Sequence, residues 1–338
     1  MTTMTVLRRI GAAVLVLWAS FTLAFILLTA LPGDAVSTRY ADPELGLSAS
    51  EIADMQQAYG SDEPVLTRYW NSLTGVLHLD FGNSLQTGAD VMDSLTDALP
   101  GTLALALTGF LVALVIAVLV AVTATSLPDN RVCRWISTTL RALPPLFVSL
   151  PAFWLGIILI QLFSFTLEWI PVIHATSVQD LILPSVALAV PLSAPLAQVL
   201  IRSIDDVTDM PFITVVKARG AGAQWVLWRN VLRNAVLPAI TIAGLTFGEL
   251  VGGAVITEAV FSRAGVGAMT VDAVANRDTP VLMAVVVLAA AVYVIINLLV
   301  DLLYPVLDAR LRTGEKTGKT GKSSKNGKNG KNGKKVQA

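Results

Sequence analysis

The chain is 338 residues long, 54% apolar and only 14% charged. That excludes an ordinary soluble domain, in which about a quarter of residues are charged. The formal net charge of zero conceals an asymmetry: acids cluster between Asp34 and Asp97, while Lys and Arg gather at the N-terminus, around 131–141, in 202–233 and after Arg310.

The single cysteine, Cys133, excludes an intrachain disulfide framework and reads as a free reduced thiol. Several apolar runs reach about 20 residues, the length a helix needs to cross a bilayer. Arg8 and Arg9 precede the first, from Ile10 to Leu31. It exceeds the roughly 7–15 apolar residues of a signal peptide, so it predicts an uncleaved helix with its N-terminus inside. A polar, acid-rich region continues to about Leu99 and is expected outside. Within it, Ser48-Ala-Ser-Glu51 has the spacing of a capping box, followed by Ile52, Met55 and Tyr59 on one face. Pro64 then opens a second short helix with Leu66, Tyr69, Trp70, Leu73 and Leu77 as its apolar stripe. Such faces suit either a folded external cap or the membrane interface, where Trp and Tyr are favoured.

Pro100-Gly101 opens the next apolar run, which ends near Ser126 before a short basic turn. The third span is expected from about Thr138 to Phe165. Its Pro144, Pro145 and Pro151 remove backbone donors and should break or kink its first part. Within a membrane such breaks are tolerated only against protein or a water-filled cavity. A loop from Glu168 to Asp180 holds Trp169 and His174, and the fourth span, about Leu181 to Ile201, carries Pro184, Pro191 and Pro195 with the same expectation. The fifth span runs from about Ala239 to Thr257 and the sixth from about Val281 to Tyr304. On this topology only Arg39, Arg68, Arg263 and Arg277 of the 24 Lys and Arg lie outside. The short inner loops keep their basic excess even without the lysine-rich tail, as the positive-inside rule requires.

Between the fourth and fifth spans lies the stretch from Pro211 to Pro238, with Lys217, Arg219, Arg229 and Arg233 and no acid. Ile213, Val216 and Lys217 fall on one helical face, and Gly220-Ala221-Gly222 then breaks the period. Trp225, Leu227, Trp228, Val231 and Leu232 form a second apolar pattern with arginines between them. Two short helices joined by a glycine turn make a protrusion that a soluble partner can grip.

That arrangement resembles the cytoplasmic coupling loop, the EAA loop, of bacterial ABC-importer permeases. Gly220 stands in the glycine's place and Leu237-Pro238 at the end, while Thr214-Val215-Val216 replace the family's Glu-Ala-Ala. The residues before the proline, Leu232 to Ala235, are similar to the dipeptide/oligopeptide/nickel subgroup. Leu31-Pro-Gly-Asp34 and the run from Glu63 to Leu85 extend the resemblance, with Leu79 where the family tends to have glycine. So does the stretch from Ile256 to Val281, with Glu258, Phe261, Gly265, Gly267, Asp278 and Pro280 in matching places and Ala264 replacing a proline. Asn297, Asp301 and Tyr304-Pro305 near the last helix complete it, so that it covers almost the whole chain.

The resemblance implies an all-α membrane protein with six transmembrane helices and the type I ABC importer permease fold. Its parts would be an N-terminal transmembrane helix (1–31), an external region with short helices (32–96), a core (97–308) holding the coupling loop 203–237, and a tail (309–338). It implies a permease subunit, not an enzyme, that forms half of a pathway for di- or oligopeptides, with nickel-chelate, opine, glutathione or haem as alternative cargoes. A second homologous permease, two ABC ATPase subunits, an extracytoplasmic substrate-binding protein and the bilayer would be its partners, with no nucleic acid. No cofactor is expected on this chain, ATP and Mg belonging to the ATPases. The protein would be multi-pass in a bacterial cell membrane with both termini cytoplasmic. Thr214, Val215, Val216, Lys217, Ala218, Arg219, Gly220, Ala221 and Gly222 would couple to the ATPase. Gly220 and Gly222 would permit the turn, and Val215 or Val216 would dock into a groove.

Catalysis finds little to stand on. His78 and His174 have no ligand spacing to a carboxylate or cysteine, and there is neither a G-x-S-x-G elbow nor an H-E-x-x-H motif. In the fifth span Gly244, Gly248 and Gly252 recur every four residues, a spacing that lets helices approach closely within or between subunits. Glu249 sits beside that face, and an ionisable group at membrane depth usually faces a cavity or a partner. It would line the pathway or bond across helices; an ion-coupled secondary transporter using it is the alternative mechanism. The tail from Thr313 to Ala338 is Gly, Lys, Asn and Ser, too polar to bury a core and expected to be disordered. It suits anionic lipid on the inner leaflet or simple solubilisation. Gly314 to Thr320 mimics a P-loop but is one residue short between its glycines.

Overall fold

Helices built from the apolar runs set the architecture, here a computed structural model. The structure describes residues 3–30, 63–171 and 178–307, with Ser48, Ser50, Glu51, Asp54, Gln57 and Thr176. The side chains of 3–7, Glu249, Val251 and 299–307 lie outside the described residues, as do the expected features at 31–34, at Ile52, Met55 and Tyr59, at His174 and in the tail. In chain order the helices are α1 (Thr3–Ala30), α2 (Val65–Leu77), α3 (Val91–Ser126), α4 (Arg131–Val148) and α5 (Ala152–Leu159), which a π-helical turn extends to Thr166. Then come α6 (Gln179–Thr208), α7 (Pro211–Ala218), α8 (Ala223–Val226) and a π-helical turn, Leu227–Val231. The last three are α9 (Leu232–Val260), α10 (Val266–Ala275) and α11 (Thr279–Leu307).

Among the described residues five helices are long and apolar enough to cross a membrane, or six if the α4–α5 pair is one span. That pair is bent by 105°. The break falls at Ser149-Leu150-Pro151, whereas Pro144 and Pro145 sit inside α4. Two expectations are corrected. The second span starts at Val91, not at Pro100: Asp90 caps it by accepting from the Asp93 N–H at 3.0 Å, and Val91 and Leu95 are buried. And Pro184, Pro191 and Pro195 do not interrupt α6, which runs unbroken for 30 residues. Its packing overrides the lost bonds, since α6 is the most buried of the candidate spans.

The core forms where α6 lies along α3. Ala113, Ala117, Ala121 and Ala124 make a ridge of small side chains on α3, which meets Ala189, Leu196, Ala197, Leu200 and Ile204 of α6. Alanine at each turn lets the two backbones approach closely. Thr108 and Ser185 join the helices by a hydroxyl pair at 2.7 Å. Farther along, Leu105, Leu188 and Leu250 pack together beside an edge-on Phe110–Phe247 pair with centroids 4.9 Å apart, bringing α9 against both helices. The capping box forms ahead of α2. Ser48 N–H and Oγ both donate to Glu51 Oε2 at 2.7 Å, and these bonds hold the Glu51 carboxyl below its ordinary pKa.

Candidate functional site

The glycine-turned protrusion is fixed to this core at both ends. Pro211 occupies the first turn of α7, where its missing N–H costs nothing. Ile213 is fully buried and Val216 partly so, both against the cluster shared by α3, α6 and α9. Thr214, Val215, Lys217, Ala218, Arg219 and Gly220 are exposed, Val215 to 51%. The two valines therefore do different jobs: Val216 faces the core and Val215 faces outward. Lys217 and Arg219 place positive charge at the end of α7 where the helix dipole is negative.

Gly220 turns the chain with φ +86°, a left-handed conformation that L side chains resist. Gly222 does not share that role. Its φ of −67° and ψ of 150° are open to any residue, and it serves as the backbone N-cap of α8. Beyond the turn Ala221 packs partly against the core, while Val226 and Val231 are buried. The indoles expected beside them point the other way. Trp225 and Trp228 are 51% and 60% exposed, and the Arg229 guanidinium lies 5.7 Å from the Trp225 ring centroid. The π-helical turn at 227–231 shifts the helical register between Trp225 and α9, which is why a plain 3.6-residue period misplaces these side chains.

An ion pair absent from the sequence reading braces the approach to this protrusion. Arg141 of α4 grips Asp205, in the last turn of α6, through two bonds of 2.6 and 3.0 Å. The pairing is bidentate, the geometry in which arginine and carboxylate match best.

The opposite end of the core carries the motif residues of 256–281. Glu258 is fully buried and its Oε2 accepts from the Gly267 N–H at 2.7 Å. A Cβ at Gly265 would overlap that carboxylate, and one at Gly267 would lie 2.4 Å from the Val255 Cα, so close backbone approach requires glycine at 267 while 265 is crowded by the Glu258 side chain alone. Arg263 pairs with Asp180 at the start of α6 and also donates to its carbonyl at 2.9 Å. Asp278 precedes α11 and is 2% exposed. It accepts from Ser84 Oγ at 2.5 Å and from the Leu85 and Gln86 N–H groups at 3.2 and 3.3 Å, tying the turn before α3 to the last helix.

The glycine row of α9 divides. A Cβ at Gly248 would rest 3.5 Å from the Tyr293 ring of α11, an internal contact, whereas nothing lies within 4 Å of one at Gly252; Gly244 is partly buried. Glu249 lies within α9, but its side chain is outside the described residues. His78 bonds through Nδ1 to the Thr74 carbonyl at 2.8 Å, closing the end of α2. Among the described residues no three His, Cys, Asp or Glu side chains gather as a metal site.

Comparison with known proteins agrees with this arrangement. Residues 113–313 match the family described as binding-protein-dependent transport system inner membrane component, and residues 1–106 match the N-terminal part of such membrane components. The glutathione transport system permease protein GsiC of Salmonella typhimurium is 34% identical over 91% of this chain and 98% of its own length. GsiC of Escherichia coli K12 is 32% identical over the same shares. Among solved structures, a chain of the MetNI methionine ABC transporter in an inward-facing conformation superposes with a TM-score of 0.54. It is 20% identical, covering 64% of this chain and 97% of its own, which is a likeness of fold. The spans, the protrusion they carry and the full-length relatives lead to one assignment: this chain belongs to the binding-protein-dependent transport system inner membrane components, as the permease subunit of an ABC importer with the type I permease fold.

Proposed function

We propose that this permease forms half of a pathway for small peptides, driven by ATP hydrolysed on separate subunits. The observation that carries the reading is the protrusion itself: Ile213 and Val226 root it in the core while Val215 stands exposed at its outer face. A rigid lever with one free apolar face is what a soluble motor needs to move a membrane core.

Residues 214–222 would meet an ABC ATPase, ATP and Mg staying with that partner. The core would be 97–308, with the coupling loop at 203–237. A second permease, two ATPases and an extracytoplasmic binding protein would complete the importer. Both termini would face the cytoplasm of a bacterial cell, on the side where the basic loops collect. Di- and oligopeptides are the proposed cargo, and glutathione, named in the relatives GsiC, belongs with them as a peptide-like molecule. Gly252, open on α9, would lie on the pathway or against the second permease, with Gly244 and Glu249 near it, while Gly248 packs internally.

The test is affinity purification of the tagged chain in mild detergent, with its co-purifying subunits reconstituted and ATP-driven uptake of labelled dipeptide and glutathione compared. Recovery of ATPases and a second permease, with uptake of either cargo, is the expected result. A chain that purifies alone and transports in liposomes without ATP would overturn the reading.

A further inference from the structure

Helix α2 is tied to the spanning helix α1 well before its C-terminal end, and its exposed face has the chemistry of a lipid contact. The anchor is Tyr69. Thr22 of α1 donates its hydroxyl to the Trp18 carbonyl at 2.8 Å, so the Tyr69 hydroxyl, 2.9 Å away, donates to Thr22. The Tyr69 ring packs on Phe21 and Phe25, with centroids 5.6 and 5.3 Å apart, and both phenylalanines are buried. Thr22 lies eight residues before the end of α1 at Ala30. At about 1.5 Å per residue this is roughly 12 Å inward along a helix that crosses the bilayer. A helix whose side chain reaches that point cannot ride high above the headgroups.

The remaining faces of α2 differ sharply. Arg68, Asn71 and Ser72 line an open cleft of about 750 Å³ shared with Glu63, Asp80 and Asn83. Leu66, Trp70 and Leu77, spaced four and seven residues apart on the far side, are 69%, 56% and 75% exposed. No residue of α2 is fully buried. On α1, Leu23, Ile26 and Leu27 are likewise 59%, 55% and 60% exposed on a spanning helix. A tryptophan between two leucines, with polar groups on the opposite face, is the pattern of a helix lying in the plane of the interface.

We propose that α2 is an interfacial helix that inserts Leu66, Trp70 and Leu77 among the lipids of the leaflet at the C-terminal end of α1, and that its occupant is lipid, not solvent or a protein partner. In the proposed orientation this is the outer leaflet. The inference rests on α1 crossing the membrane and on nothing about cargo or ATPase. Inserted this way, α2 fixes the height of the cleft at the membrane surface.

The experiment uses the assembled protein in lipid nanodiscs. After Cys133→Ser, single cysteines at Leu66, Trp70, Leu77, Asn71 and Thr74 are spin-labelled, and their accessibility to oxygen and to a water-soluble nickel chelate is measured. The ratio of oxygen to chelate accessibility should exceed unity at Leu66, Trp70 and Leu77 and fall below it at Asn71 and Thr74. Chelate access along the stripe would overturn the proposal in favour of solvent, and shielding from both reagents would overturn it in favour of a protein cover. For the unsubstituted chain, a lipid-soluble carbene reagent should label α2 along with residues 23–27 of α1. Labelling of α1 alone would also sink the idea.

Discussion

Gly220 offers the sharpest test of the protrusion, because its role is confined to backbone conformation. At φ +86° an L side chain meets the steric penalty of the left-handed region, about 1–2 kcal/mol. Nothing lies within 4 Å of a Cβ placed there, so the Cβ of Gly220→Val adds no collision to that cost. The penalty multiplies the population of misturned loops by about 5–30, while Ile213 and Val226, on either side of the turn, keep their places in the core. The variant should therefore insert and purify normally yet lose uptake per ATP hydrolysed, by at most about 30-fold. The assay is reconstituted transport with the partner subunits, ATP turnover read in the same vesicles. Gly222→Ala is the internal control: its φ of −67° and open surroundings predict full activity. Uptake by Gly220→Val equal to the parent's would refute the argument that coupling depends on this turn.

Other substitutions probe the opposite end of the core. Gly265→Ala should lower stability by about 1–3 kcal/mol through overpacking on the Glu258 carboxylate, read as a fall in Tm in detergent; an unchanged Tm would mean the cradle can yield. Asp278→Asn weakens the acceptor shared by Ser84, Leu85 and Gln86 and should cost about 1–3 kcal/mol by the same measurement. Hydrogen exchange should quicken first at the Leu85 and Gln86 amides; quickening spread evenly over the chain would tell against a local tie. Leu79 holds φ +60° at an exposed site, so Leu79→Gly relieves about 1–2 kcal/mol of strain and should leave Tm unchanged or higher despite the lost leucine. A clear fall in Tm would show that the side chain matters more than the turn.

Local signals carried the sequence reading far. The apolar runs give the spanning helices, Ser48 and Glu51 close the capping box their spacing announces, and Pro64 opens α2. Leu79, expected to stand in a glycine's place, holds a left-handed conformation. What the sequence hides is whatever depends on distant partners or on a broken period. Asp205 and Arg141 are 64 residues apart, and nothing near either announces the other. Trp225 and Trp228 share an apolar pattern with Val231, yet both are exposed while Val231 is buried, because the π-helical turn at 227–231 shifts the register between them and α9. The three prolines of α6 read as a break, yet the buried seam with α3 holds the helix continuous. Within the protrusion, identity alone cannot separate Val215 from Val216 or Gly220 from Gly222; only the direction of each side chain and the sign of φ do so.

The Asp278 tie also orders events during biogenesis. Its carboxylate meets a hydroxyl 194 residues earlier, so the turn at 84–87 leaves the ribosome long before its acceptor exists. Until then the Ser84 hydroxyl, whose oxygen accepts from the Gln86 and Thr87 N–H groups, must give its own proton to water. The bond closes only when α11 is entering the membrane, and it works as a latch on a completed chain. A polypeptide truncated before residue 278 would leave that turn without its carboxylate, which makes faster exchange there a readable mark of unfinished protein.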